Sequence, residues 1–553
     1  MATEDYLAPT DRAGSTNQES WEIAAALKRQ DRKNVVTLTH ARLTDRERSF
    51  LASDATDLAH RLATRECTAL EVTTAFCKAT YAAQELTNCV TEVMFDQALA
   101  RARELDAHLL ETGKVVGPLH GVPVSIKDHI SVKGEDSACG YVAWAGRTIA
   151  EEDATIVQIL HAAGAVIYVK TTNPQSLFSL ETASNIYGET LNPHNRGLIS
   201  GGSSGGEGVL IASRASLLGV GTDVGGSIRY NRFPSAWCGV YGLKPSSHRI
   251  PASGLVWTYK GKEDINTVVG PMAHSVRDLE LFCRVVSAYE PWNVDFSTLS
   301  MPWNHSLAKG GKNEKLVIGM FTDDGIVAPH PPIIESLQKA QKALIAAGHE
   351  VIDWIPLDHM YALELAGKMY TADGGAEMRK TLEESGEPAI RMVGQFLERA
   401  EKQTGLTLAE SWALNAERDQ FRARVLKHWN DTASRSSIGR PVDAILCPVT
   451  ATLAPPHGKA KRVGYTSYWN LLDLPAAVFP ASGPFDAKKW RSSLTPSTPR
   501  NEMEQSVANQ WDPETYDGAP ICLQLVGRRW QEEKLIATLR VVDEVLRQSK
   551  GGF

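Results

Sequence analysis

Long apolar runs are missing from this chain: no stretch approaches the roughly 20 residues that a membrane-crossing helix needs. The first residues, Met-Ala-Thr-Glu-Asp-Tyr, lack the basic and apolar regions of a secretory signal. The last, Gly551-Gly552-Phe553, match no peroxisomal or retention signal. Cysteine is sparse, with eight residues at 67, 77, 89, 139, 238, 283, 447 and 522 and no C-x-x-C pair. That excludes a disulfide framework and points to buried, reduced thiols. No run of Lys and Arg could track a phosphate backbone, and the net charge is only −7, so a nucleic-acid partner is not expected. No Cys, His or carboxylate cluster has zinc spacing. Together these absences lead us to expect a cytoplasmic protein with no transmembrane segment.

What remains is an ordinary globular composition, 43% hydrophobic and 22% charged, able to bury a large core. Residues 1–19 are polar and expected to be disordered, with an amphipathic helix from about Trp21. Residues 20–550 read as one large α/β domain with insertions. The pattern is helical from 55 to 112 and gives way to a Gly/Pro-punctuated strand over Gly117–Asp128. Ile156, Ile159 and Leu160 mark a helix stopped by Gly164, and Ala165–Val169 a buried strand. The same order recurs later: a strand at Leu316–Phe321, a helix through Ile333, Leu337, Ala340 and Leu344, then a strand at Val351–Trp354. Strand, helix, strand at this spacing predicts crossover units and a largely parallel sheet covered by helices. A final helix is expected from about Gln531. Residues 291–315 and the polar stretch 487–518 read as surface connections.

The least ordinary stretch is Ser200-Gly201-Gly202-Ser203-Ser204-Gly205-Gly206-Glu207-Gly208, followed after eleven residues by Val220-Gly221-Thr222-Asp223-Val224-Gly225-Gly226-Ser227-Ile228-Arg229. A flexible linker fits poorly, because Val209, Leu210, Ile211, Leu217 and Leu218 lie between the two runs. Glycine there lets the backbone take positive φ and pass close to other atoms. Neither run is followed by the Lys-Ser/Thr of a phosphate loop, and Val224 stands where a dinucleotide fingerprint needs glycine. Serine chemistry is left, in two forms. Gly201-Gly202-Ser203-Ser204-Gly205 matches the G-x-S-x-G elbow of α/β-hydrolases, which need a late histidine. The last histidine is His457, with no motif around it.

The two glycine runs, together with Cys238-Gly239-Val240-Tyr241-Gly242-Leu243-Lys244-Pro245 and the upstream Gly121-Val122-Pro123-Val124-Ser125-Ile126-Lys127-Asp128, resemble the amidase signature family. The Ser-Trp-Glu helix, Thr172–Leu177, His330-Pro331-Pro332, Asn470-Leu471-Leu472-Asp473 and Asp517-Gly518-Ala519-Pro520 look like its fungal acetamidase group. The resemblance covers nearly the whole chain and puts the signature core at about 115–275. It implies a central, largely parallel or mixed β-sheet with helices on both faces. It also implies an amide hydrolase in which Ser227 is the nucleophile, Ser203 a bridging serine that also contacts substrate, and Lys127 the base. The backbone amides of Val224, Gly225, Gly226 and Ser227 fall where the family places its oxyanion hole, and Leu177 matches a substrate-contacting position.

That chemistry needs a neutral lysine. A serine hydroxyl is a weak nucleophile until a base takes its proton, and a lysine near pKa 10.4 is protonated at neutral pH. Burial shifts it downward; from periodicity alone Lys127 reads as a solvated strand end, and only the motif reverses that. Asp223 and Arg229 are candidates for an ion pair bracing the loop, or for two solvated charges. The chain departs from the family pattern by about three residues, Tyr230-Asn231-Arg232, between the nucleophile motif and Pro234. The expected substrate is a primary carboxamide, acetamide-like or another small or aryl amide, given off as acid and ammonia through an acyl-serine intermediate. A fatty-acid-amide-type hydrolase and a partner-dependent or inactive homologue remain open. No cofactor or metal is expected, a homodimer is compatible with the sequence, and Trp144 and Trp237 near the signature are expected to be core packing.

Overall fold

The computed structural model describes residues 33–224, 232–311, 315–461, 464–490 and 498–549. The expected tail, the helix from Trp21 and the segment Gly225–Asn231 lie outside them. An eleven-stranded sheet organises the described residues. In chain order its strands are β1 (Val90–Val93), β2 (Pro123–Lys127), β3 (Val166–Thr171), β6 (Leu218–Val224), β7 (Tyr241–Lys244), β8 (Thr267–Ala273), β9 (Val317–Met320), β10 (Glu350–Asp353), β11 (Ala444–Pro448), β12 (Ala476–Pro480) and β13 (Cys522–Val526). The short strands β4 (Ala183–Ser184) and β5 (Gly188–Glu189) form a separate hairpin. The spatial order is β1-β3-β2-β6-β8-β7-β12-β13-β11-β9-β10.

The sheet is mixed. β3, β2 and β6 run parallel, as do β11, β9 and β10. These are the regions where the sequence showed strand–helix–strand order. From β6 across β8, β7, β12 and β13 to β11 every pairing is antiparallel. Along β9 and β11 period-two alternation sorts the side chains into two cores. Ile318, Met320, Ala444 and Leu446 pack into one, while Val317, Ile445 and Cys447 pack into the other. Helices thus cover both faces, the architecture expected of an α/β fold.

The sequence-predicted helices have physical starts and stops. The helix Ala69–Thr87 opens on a capping box between Thr68 and Glu71 and ends where Asn88 takes the left-handed conformation. That stop corrects the unbroken helical pattern over 55–112: Val90-Thr91-Glu92-Val93, with β-branched Val90, Thr91 and Val93, leaves the helix and pairs antiparallel with β3. The helix Phe95–Thr112 then runs to Gly113. The segment 291–315 follows the surface in part, with Phe296 98% exposed, but Trp303 and Ala308 anchor it in the core. The polar stretch after 487 contains a helix, Glu502–Ala508, and buries Tyr516. All eight cysteines are free and buried. No described helix is long and apolar enough to cross a membrane.

Candidate active site

β2 places the lysine. Val122, Val124 and Ile126 enter the hydrophobic core, so the residues between them, Ser125 and Lys127, take the opposite face of the strand. The helix Gly205–Ala212 packs over that face. Its approach requires glycine: a Cβ on Gly206 would lie 2.4 Å from the Thr172 amide nitrogen and 2.5 Å from the Cys89 carbonyl oxygen. The close approach carries Ser203, just ahead of the helix, onto the lysine. Lys127 Nζ lies 2.5 Å from Ser203 Oγ and 2.9 Å from Thr222 Oγ1 on β6. The Gly202–Ser203 peptide bond is cis.

Lys127 is fully buried, and that burial pushes its pKa down to about 7, against the opposing pull of Cys139, Asp223, Asp128 and Glu207. His129, two residues on, was not singled out by sequence reasoning. Its Nδ1 lies 2.9 Å from the Val256 carbonyl and its Nε2 2.7 Å from Thr222 Oγ1. A carbonyl can only accept, so Nδ1 carries the proton and Nε2 accepts from the Thr222 hydroxyl. Thr222 Oγ1 is then left to accept from Lys127. Burial and the neighbouring Lys127 hold His129 well below its usual pKa, which keeps the ring neutral in this chain of bonds.

The second buried charge nearby is Arg232. Its Nε is 3.3 Å from Asp223 Oδ2, and both side chains are fully buried. Arg232 also donates to Gln524 Oε1 at 3.2 Å, to the Thr466 carbonyl at 3.0 Å and to Asn470 Oδ1. Asn470 Nδ2 in turn donates to Asp223 Oδ1 at 2.5 Å. The expected partner of Asp223 was Arg229, which lies outside the described residues. Within the described residues the partner is Arg232, which opens the helix Arg232–Cys238 and reaches back across the end of β6. The Asn470–Asp473 motif therefore has a structural role: Asp473 accepts from the Ser247 amide and hydroxyl, both at 2.8 Å, and from Arg529 at 2.6 Å.

Leu177 is buried against the same aromatic-rich core as Tyr141, Phe178 and Tyr259. Ser176 and Leu177 both have positive φ, +65° and +66°. That is a costly conformation for a non-glycine residue, roughly 1–3 kcal/mol, and such positions concentrate at functional sites. Trp237 is buried as expected, while Trp144 is half-buried and rests on Tyr141 with ring centroids 4.9 Å apart. Val224 closes β6 opposite Thr267. Ser227, Gly225 and Gly226 lie outside the described residues. His457, the late histidine that an α/β-hydrolase mechanism would require, instead faces the Arg196 carbonyl at 3.3 Å and Glu189 at 3.5 Å.

The amidase family model matches residues 71–536. The chain is 39% identical over 508 residues to an acetamidase of Emericella nidulans, covering 91% of each protein. It is 38% identical over 508 residues to an acetamidase of Aspergillus oryzae, again covering 91% of each. Its structure is similar to that of a fatty acid amide hydrolase with a TM-score of 0.88 and 33% identity, covering 97% of this chain and 93% of the other. A buried lysine on a serine, inside a chain that matches this family from end to end of its sheet, leaves one assignment: the protein belongs to the amidase signature family and is a hydrolase acting on amide C–N bonds.

Proposed function

We propose that the chain hydrolyses a small primary carboxamide, acetamide-like or aryl, to the carboxylic acid and ammonia through an ester of Ser227. The observation that carries this reading is the 2.5 Å contact between a fully buried Lys127 and Ser203. A lysine whose pKa is brought to about 7 by burial has a substantial neutral fraction at physiological pH. It takes the Ser203 proton as Ser203 takes that of Ser227, and the Ser227 oxygen bonds to the amide carbon. Backbone amides of Val224, Gly225, Gly226 and Ser227 stabilise the oxyanion, an arrangement worth ~3 kcal/mol per donor. The proton then returns from Lys127 through Ser203 to the nitrogen, the C–N bond breaks, and ammonia leaves. Water attacks the ester by the same route in reverse and releases the acid.

The acyl group is the finer question. The acetamidases that this chain resembles favour a small one. The aromatic core around Leu177, with Phe178 packed edge-on against Tyr259 at 5.2 Å, favours an aryl or longer acyl group as the second reading. Ammonia release from acetamide, benzamide and long-chain amides, by wild type and Ser227→Ala side by side, decides between them. Release that vanishes in the variant supports the serine mechanism. Release that survives in Ser227→Ala, or no release from any amide by folded protein, sinks it.

A further inference from the structure

Beneath the lysine lies a carboxyl group that the mechanism above does not use. Glu207 sits on the helix Gly205–Ala212 and is fully buried. Its Oε2 accepts from Ser125 Oγ at 2.7 Å and its Oε1 from Thr171 Oγ1 at 2.9 Å. Both donors are tied to Lys127. Ser125 is two residues before it on the same face of β2, and Thr171 is its direct partner across the β2–β3 pairing. Adjacent strands are about 4.8 Å apart, and residues directly opposite each other share a face. The carboxyl is therefore held in the layer immediately under the ammonium.

The space for it is built into the strand on the other side. Gly219 of β6 stands opposite Ser125, and a Cβ there would lie 2.1 Å from Glu207 Oε2. Ser216 Oγ, 2.9 Å from Ser125 Oγ, completes the hydroxyl frame. A buried carboxyl held only by neutral hydroxyls costs stability, so its retention here calls for a role.

We propose that Glu207 is a positioning residue for the amide hydrolysis, a buried charge that sets how firmly Lys127 holds its proton. The inference rests on the reading of Lys127 as the base. When Glu207 is ionised it favours the ammonium form; when neutral it lets the amine form at lower pH. Burial raises the Glu207 pKa to about 7, against the hydrogen bonds from Ser125 and Thr171 and the charge of Lys127, so both states are populated in the range where the lysine titrates. The other groups facing this pair are Asp128 and His129 beyond the end of β2, Cys139 on the following loop, Asp223 on β6, and Cys89 and Tyr168 beside Glu207. Lys170 on β3 faces Asp128, His129 and Cys139.

Glu207→Gln keeps the size of the side chain and removes the charge; its amide oxygen still accepts from one of the two hydroxyls, while its NH2 donates to the oxygen of the other. The lower limb of the kcat/KM pH profile then moves to lower pH by about one to two units, the size expected for a charge one layer away. If Glu207 only braces the helix, the variant loses rate or stability while the limb stays in place, which overturns the inference. A measurement that needs no turnover is the infrared carboxylic-acid C=O stretch of Glu207 in folded Lys127→Met, identified by its loss in Glu207→Gln. Linkage is reciprocal, so losing the cation must carry that band to higher pH by a comparable shift; an unmoved band overturns the inference. Activity surviving in Lys127→Met would instead sink the mechanism on which it rests.

Discussion

Lys127 and Arg232 are both fully buried cations near the end of β6, and their partners make them opposites. Arg232 spends its donors on a carboxylate, a backbone carbonyl and two amide side chains. Its planar fork stays charged under any condition the protein survives, and its burial is compensated bond by bond. The described hydrogen bonds of Lys127 go to two hydroxyls, Ser203 and Thr222. Burial outweighs the pull of the acidic groups around the amine and brings its pKa to about 7. The same depth in the protein leaves one cation held in its charged form and brings the other's pKa near neutrality.

The contrast is broken first by removing the lysine. Lys127→Ala should lower kcat by roughly 10³-fold or more, measured as ammonia release, while the folded protein remains. Arg232→Met should act on stability instead: it strands Asp223 in the core, at a cost of about 3–5 kcal/mol in chemical denaturation. An Arg232→Met protein of wild-type stability would show that the charge pair is not what holds the end of β6. The third test is the pH dependence of stability. Unfolded, Lys127 keeps its proton to about 10.5; folded, it gives it up above about 7. The unfolded state thus binds more protons between those values, so the cost of burying Lys127 is full below pH 7 and fades as pH rises. The stability of wild type should therefore gain up to roughly 1.4 kcal/mol per pH unit over Lys127→Met in that window. Smallest is the surface control: the Lys427–Asp431 pair, 2.7 Å apart but 77% and 58% exposed, should change stability by no more than about 0.5 kcal/mol when Lys427 is replaced by Gln.

Different parts of this site were legible to different degrees. Ser203 and the glycine runs stood out because their spacing and composition are unusual along the chain, whereas Lys127 was singled out only by its match to the family motif. Thr222 was inside a quoted motif without a role, since nothing local says that its hydroxyl faces a lysine 95 residues earlier. His129 and Glu207 sit next to the motif positions, yet sequence gives a lone histidine or glutamate no direction. Arg232 carried no signal as a partner for Asp223, because only the helix that starts there brings its guanidinium back to the end of β6. In the fold, the parallel wings followed from strand–helix–strand order, whereas the antiparallel centre has no such local grammar, because β12 and β13 return from far along the chain. β1 was missed because one left-handed Asn88 ends a helix that the periodicity alone would continue.

The amino-acid sequence by itself determined which groups are available: a lysine and two serines among glycines too close-packed to be a linker. It also determined the strand and helix periods that stack these elements. Only the tertiary structure decided what those groups are chemically. The alternation around Lys127 is equally compatible with a solvated strand end. The lysine loses solvent and has its pKa lowered because β3 and β6 flank its strand, the helix Gly205–Ala212 closes over it, and Ser203, Thr222 and Glu207 come from 76, 95 and 80 residues away. Desolvation is a property of everything packed around an atom, and no window of sequence contains it.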